Sequence, residues 1–208
     1  MLGIVDYGMG NIFSILNATK SVGFKSELVK DPSKFKDYNS LILPGVGAFH
    51  NAVEKFNDND LVEYLNEFKK TGKYIIGICL GMQLIMEKSY EFGEHEGLGY
   101  IRGDCKRFPK NVNKKKLLIP HISWNKISFD DYNNTIFKGV KNLSFMYFIH
   151  SYFCDLKDES HIMSKTNYHG FEFCSSLKME NIIGLQFHPE KSGVNGLKIL
   201  SNIKKIIY

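Results

Sequence analysis

The sequence predicts one α/β domain over residues 1–208, with a largely parallel central sheet, an antiparallel extension and helices on both faces. Three observations carry that expectation. Through the first hundred residues short apolar runs alternate with helical patterns, as strands joined by crossover helices do. The runs SLIL and KYIIGI are apolar without interruption, as strands covered on both faces must be. Beyond about residue 98 the chain turns to β-branched and aromatic blocks with no long helix between them, and these read as antiparallel strands added to the sheet.

Taken in order, LGIV (2–5) is a strand, DYGMGN (6–11) a glycine-rich turn, and IFSILNATKSV (12–22) a helix stopped at Gly23. SLIL (40–43) is the next clear strand and runs into PGVGAF. NDLVEYLNEFKKTG (59–72) is amphipathic; Asp60 and Glu63 have capping-box spacing, and Gly72 suits the helix end. KYIIGI (73–78) is a buried strand. YIRGDCKRF, HISWNKISF, FMYFIHSYF and IIGLQF supply the later strands, and VNGLKILSNIKKII (194–207) spaces its apolar residues as a closing helix. The chain shows no linker, repeat or low-complexity segment.

Composition excludes several functions. A hydrophobic fraction of 43%, a charged fraction of 24% and a net charge of +5 are ordinary for a soluble globular protein. Lys114, Lys115 and Lys116 form the one local basic run, read as a solvated loop, so no nucleic-acid or membrane partner is expected. MLGIVDYGMG lacks a basic leader region and carries Asp6 early, and no apolar run approaches bilayer length. The expected location is the cytoplasm. Cys79, Cys105, Cys154 and Cys174 include no CxxC pair, which argues against a zinc ribbon or a dithiol redox centre. No metal or organic cofactor is expected.

Chemistry concentrates in three segments. In GICLGMQ (77–83) a cysteine sits between two glycines where a strand passes into a helix, the pattern of a nucleophile elbow. Such a turn exposes the Cys79 side chain at the carboxyl end of the sheet, at a helix N-terminus that favours a thiolate. A buried packing cysteine is the alternative. In LQFHPEK (185–191), His188 ends an apolar run and Glu190 follows two positions on. A strand-end capping histidine is the plain reading; a base held by an acid is the catalytic one. In LPGVGAF (43–49) two glycines after a strand can turn backbone N–H groups towards an anion.

Together these pieces resemble the class I (triad) glutamine amidotransferases, whose fold is flavodoxin-like. Within them the chain is similar to the glutaminase subunits of imidazole glycerol phosphate synthase. IVDYGMGN, LPGVGAF, GICLGMQ, GLGYI, IPHISWN, YFIHSY and LQFHPEKSG follow in that family's order across essentially the whole chain. The resemblance implies that Cys79 attacks the glutamine side-chain amide, that His188 moves the proton, and that Glu190 orients His188. It implies an oxyanion hole from backbone at Val46 and Leu80, and glutamine contacts at Gly45, Gly47, Gln83 and Ser151. It also implies a (β/α)8-barrel cyclase subunit as heterodimer partner and ammonia recipient, with Asn11, Trp124 and Asn125 on the docking face. The products would be imidazole glycerol phosphate and AICAR, in histidine biosynthesis.

One position departs from the family. Where the family reads PHMGWN, this chain has Pro120-His121-Ile122-Ser123-Trp124-Asn125, so Ser123 adds a side chain near the expected interface. That leaves room for a paralogous pair supplying ammonia to amidino-sugar synthesis for surface polysaccharide or flagellin. A copy of another class, non-catalytic and regulatory, has no physical reason to keep Cys79, His188 and Glu190 together.

Overall fold

The apolar runs of the sequence become the middle of a seven-stranded sheet. The computed structural model describes residues 1–58, 60–130 and 135–208. In chain order the strands are β1 (Leu2–Val5), β2 (Ser26–Val29), β3 (Ser40–Leu43), β4 (Tyr74–Ile78), β5 (Met86–Ser89), β6 (His95–Glu96) and β7 (Ile101–Arg107). They continue with β8 (Asn111–Val112), β9 (Lys115–Lys116), β10 (His121–Lys126), β11 (Phe145–His150), β12 (Tyr152–Leu156), β13 (Ile162–Tyr168), β14 (Phe171–Met179) and β15 (Ile182–Leu185). The helices are α1 (Ile12–Ser21), α2 (Phe49–Asp58), α3 (Leu61–Lys70), α4 (Leu80–Leu84) and α5 (Gly193–Ile207).

The main sheet runs β13-β14-β15-β4-β3-β1-β2, parallel from β15 to β2 and antiparallel at β14 and β13. Its strands bury alternate residues on opposite faces. Leu41, Leu43 and Ile75 pack with Phe56, Leu65 and Phe68 of α2 and α3. Ile42, Ile76 and Ile183 pack with Ile15, Ile199 and Ile203 of α1 and α5. The result is the expected largely parallel sheet with an antiparallel extension, covered on both faces.

The later strands are assigned differently from the sequence reading. YIRGDCKRF forms β7, which joins the separate sheet β12-β7-β5-β6, and β10 and β11 form a hairpin of their own. The antiparallel extension comes instead from β13 and β14. IIGL is antiparallel only to β14 and runs parallel to β4, with Leu185 beside Ile78. Alternation identifies a strand but not its neighbour. The edge strand β2 and the helix α2 go unannounced because SELV is half polar and FHNAVEKFND mostly so; α2 buries only Phe49, Ala52 and Phe56.

Helix α3 starts later and differently than expected. Asn59, where the sequence reading begins it, lies outside the described residues. Asp60 stands at the N-cap in a left-handed conformation (φ 51°) and its side chain caps nothing, so the capping box with Glu63 does not form. A cap side chain reaches the first-turn N–H groups from extended backbone, and the left-handed turn points it elsewhere. The lysine run forms the exposed β8–β9 turn, with Asn113 and Lys114 both at positive φ as a tight hairpin requires.

At the centre β3, β4 and α4 meet almost backbone to backbone. A Cβ on Gly81 would overlap the Leu43 carbonyl oxygen, and one on Gly77 would lie 2.5 Å from the Gly81 carbonyl oxygen. Gly81→Ala is therefore expected to lower unfolding free energy by about 1–3 kcal/mol, as forced overpacking does. Chemical denaturation measures it; an unchanged midpoint would show that the contact yields freely.

Candidate active site

Cys79 occupies the single residue between β4 and α4, at φ 55° and ψ −108°. For a side-chain-bearing residue that conformation costs about 1–3 kcal/mol. Neighbours hold it in place: Cys79 N–H donates to the Leu185 carbonyl at 2.7 Å, and its carbonyl accepts from Met82 and Gln83 N–H at 3.0 and 3.2 Å. The strand-to-helix elbow is thus as the sequence reading expects, but the side chain is not exposed. Cys79 is 5% accessible and forms the floor of a cleft of about 210 Å³, below the ~300–1,000 Å³ of drug-sized sites. A larger hollow of about 480 Å³ between α2 and α3 carries neither cysteine nor histidine. Helix α4 has only five residues, so its dipole contributes little.

His188 follows β15, whose register with β4 brings it behind Cys79. Its Nδ1 donates to Glu190 Oε1 at 2.7 Å, with both side chains almost wholly buried. Ser192 Oγ donates to the His188 carbonyl at 2.6 Å and accepts from Tyr147 N–H at 3.0 Å, tying the segment to β11. Burial by itself pushes the His188 imidazolium down; a negative Cys79 sulfur and the Glu190 carboxylate override it and lift the group to about 10, so the imidazolium is held once the thiol has given up its proton. Nε2 is in the electrostatic range of the sulfur but has no hydrogen-bond partner, a looseness common in ligand-free sites. The thiol instead donates to the Ile149 carbonyl at 3.7 Å. The histidine is thus held by an acid rather than free as a simple capping residue.

The segment after β3 lies across the start of α4. A Cβ on Gly45 would stand 2.6 Å from Leu80 Cβ, and the Pro44 carbonyl accepts from the Tyr7 hydroxyl at 2.6 Å. Burial and the nearby Cys79 push the Tyr7 hydroxyl up, keeping it a donor. Val46, Gly47, Leu80, Gln83 and Ser151 line the cleft, whereas Gly45 is packed behind its wall. The first-turn N–H of Leu80 has no acceptor within its helix. Sequence reasoning missed Glu91, the one carboxylate in the cleft wall, whose Oε2 accepts from Phe49 N–H at 2.6 Å. Nothing in YEFGEHEG distinguishes it from its acidic neighbours; only the fold does.

The β10–β11 hairpin borders the cleft. Its outer face carries Ile122 and Trp124 opposite Ile149 and Tyr147. Trp124 is 52% and Ile149 39% accessible, with Val46, Leu118 and Phe13 also exposed. The single tryptophan is thus a surface residue, not core. Asn125 and Ser123 lie on the inner face with His121, half-buried. Asn125 Nδ2 donates to the Asn167 carbonyl at 3.0 Å. Asn11 is exposed and caps α1, accepting from Ser14 N–H at 3.4 Å. All four cysteines are free and buried. Among the described residues no group of three or more His, Cys, Asp or Glu is placed to hold a metal, and no helix is long and apolar enough to cross a membrane.

Comparison with known proteins matches residues 3–205 to the family "Glutamine amidotransferase class-I". The imidazole glycerol phosphate synthase subunit HisH of Sulfurimonas denitrificans is 45% identical over 99% of this chain and 98% of its own length. The subunit of that name from Archaeoglobus fulgidus is 44% identical over 100% and 99%. Among solved structures, PurLQS from Thermotoga maritima superposes with a TM-score of 0.75 at 18% identity, covering 100% of this chain and 98% of that one. A glutamine amidotransferase from the same organism gives 0.68 at 13% identity, covering 99% and 97%.

The raised His188 value fixes a sign. With the sulfur ionised, stabilisation from its charged form is complete below about pH 6.5, the unfolded value, and is lost as pH rises through about 10. Glu190→Gln removes one of the two groups holding the charge and is expected to lower the His188 pKa. Imidazole NMR titration reads this directly; an unmoved midpoint would mean that Glu190 does not stabilise the imidazolium.

Proposed function

Since the chain belongs to the class-I glutamine amidotransferase family, we propose that it is the glutaminase subunit of an imidazole glycerol phosphate synthase. It works in the cytoplasm as one domain and supplies ammonia for histidine biosynthesis. The observation that carries the chemistry is a cysteine on a strained elbow at the floor of a small cleft, backed by a buried histidine–carboxylate pair at 2.7 Å.

Glutamine enters the cleft with its side-chain amide over Cys79. Glu91 offers a carboxylate to the substrate ammonium, and Gln83, both of whose amide hydrogens are engaged, offers its oxygen. Gly47 and Ser151 lie on the same wall. His188 takes the thiol proton at Nε2 while Nδ1 stays on Glu190. The sulfur attacks the amide carbon, and the oxyanion is met by the Leu80 N–H and backbone at Val46; one such donor contributes ~10²–10³ in rate. The imidazolium then protonates the departing nitrogen, leaving a γ-glutamyl thioester that water hydrolyses to glutamate.

Ammonia released into neutral water becomes ammonium and loses its nucleophilicity, so the cleft needs a cover. The exposed apolar rim of Val46, Ile122, Trp124 and Ile149 suits a docked protein surface, and the family's (β/α)8-barrel cyclase subunit fits that role. Ser123 points away from Ile122 and Trp124, so its departure from the family glycine does not disturb this rim or favour the amidino-sugar reading. By the family resemblance Asn11 and Asn125 belong to the same docking face, Asn125 from the inner side of β10.

In the uncovered chain the thiol proton is directed at the Ile149 carbonyl and not at His188. The isolated chain is therefore expected to release negligible glutamate from glutamine. Adding the histidine-pathway cyclase with its ribonucleotide ligand should stimulate release strongly, and Cys79→Ala should abolish it. Rapid turnover without partner, or persistence in Cys79→Ala, would sink this reading. Trp124→Ala is expected to weaken the complex by about 2 kcal/mol or more, roughly 30-fold; calorimetric titration against the cyclase subunit measures it.

A further inference from the structure

Gln186, in LQFHPEK, has no role in the chemistry described so far. It is fully buried and follows Leu185, which pairs with Ile78, so it lies alongside Cys79. Its Nε2 is 3.8 Å from Cys79 Sγ, and its Oε1 is 3.2 Å from Gln83 Nε2. We propose that Gln186 is a catalytic donor, its side-chain N–H stabilising the Cys79 thiolate from beneath the elbow, in an orientation imposed by Gln83 and Tyr152.

The orientation follows from donor and acceptor chemistry. The Tyr152 backbone carbonyl can only accept. Gln83 must therefore present its NH₂ group to it, at 3.0 Å. The second hydrogen of that group meets Gln186 at 3.2 Å, so Gln186 turns its oxygen to Gln83 and its own NH₂ group to the sulfur. The same carbonyl accepts from His150 Nδ1 at 2.7 Å. That leaves His150 Nε2 to accept from His121 Nδ1 at 3.2 Å, and His121 Nε2 to accept from Asn125 at 3.5 Å. Burial keeps both histidines neutral, at about 3 for His150 and about 4 for His121, so no proton shift reverses the chain. Flipping either glutamine would set two oxygens, or two NH₂ groups, against each other in a dry interior.

The resting thiol gives its hydrogen to the Ile149 carbonyl. Once that hydrogen has gone to His188, this carbonyl opposes the negative sulfur and Gln186 becomes the donor that offsets it. A hydrogen bond to a charged acceptor is worth about one pH unit in the acceptor's pKa.

The inference gives the proposed glutaminase a thiolate-holding group, but its test needs no glutamine. Alkylation of Cys79 by iodoacetamide is followed against pH, with Cys79→Ala as blank and thermal unfolding as a check on folding. His188, Tyr7 and Cys154, the titratable groups in electrostatic range of the sulfur, stay unchanged. Gln186→Met, which removes the donor, is expected to move the alkylation midpoint up by about one pH unit. Gln186→Glu, which sets an oxygen against the sulfur, should move it further. In glutamine turnover with the partner, kcat falls about tenfold in Gln186→Met with KM little changed. An unmoved midpoint in a folded Gln186→Met chain overturns the proposal. Should both variants fail to fold, the unsubstituted chain decides. Its Gln186 side-chain amide resonances are expected to shift when Cys79 is alkylated, and resonances that stay in place refute the contact. A normal alkylation series with no glutamate release would count against the glutaminase reading alone.

Discussion

The contact between Gly81 and the carbonyl oxygen of Leu43 governs the rest of the site. No side chain fits there, so α4 can settle onto the end of β3 only as glycine. That approach forces the single residue between β4 and α4 into the φ 55° conformation of Cys79. The cost of about 1–3 kcal/mol in the elbow is carried by sheet pairing and by packing on both faces. The same closeness lays the Pro44–Gly47 segment over the first turn of α4, where N–H groups have no internal partner. Cys79 and the backbone proposed as its oxyanion hole are placed by one constraint.

A second constraint is dryness. Gln83, Gln186, His121, His150 and His188 are all buried, and each buried polar group costs free energy unless it is paired. The chain from Asn125 to Gln186 pairs the first four head to tail without a formal charge, and His188 Nδ1 bonds Glu190. The exceptions within the site are informative. His188 Nε2 and Glu190 Oε2 are buried without partners, and one of them is the atom proposed to receive the thiol proton. The site leaves unsatisfied the acceptor its chemistry needs.

Much of this was legible in the sequence, and what was not has a physical reason. Cys79 with its two glycines, and His188 with Glu190, lie in windows of a few residues, where local geometry determines how they meet. The strands at 2–5, 40–43 and 73–78 were equally plain because both faces are buried. Glu91, Tyr7 and Gln186 act across 30 residues or more of sequence, and nothing local marks them. Gln186 stood inside a quoted motif but read as part of an apolar run. The separate sheets of β7, β10 and β11 were missed because alternation carries no information about partners. The Asp60 cap failed because backbone conformation, not residue type, aims the side chain.

The hairpin β10–β11 links these levels. Strand alternation gives it two unlike faces. Ile122, Trp124, Tyr147 and Ile149 look outward, while His121, Phe148 and His150 look in towards the polar chain. Ile149 contributes to both sides, its side chain on the exposed rim and its carbonyl on the thiol hydrogen. His150, next in sequence, holds the Tyr152 carbonyl on which the glutamine orientations depend. A protein surface that settles on the rim therefore presses on the peptide that holds the thiol proton away from His188. No long relay through the core is required: from the exposed rim to Cys79 the distance is the thickness of one strand pair.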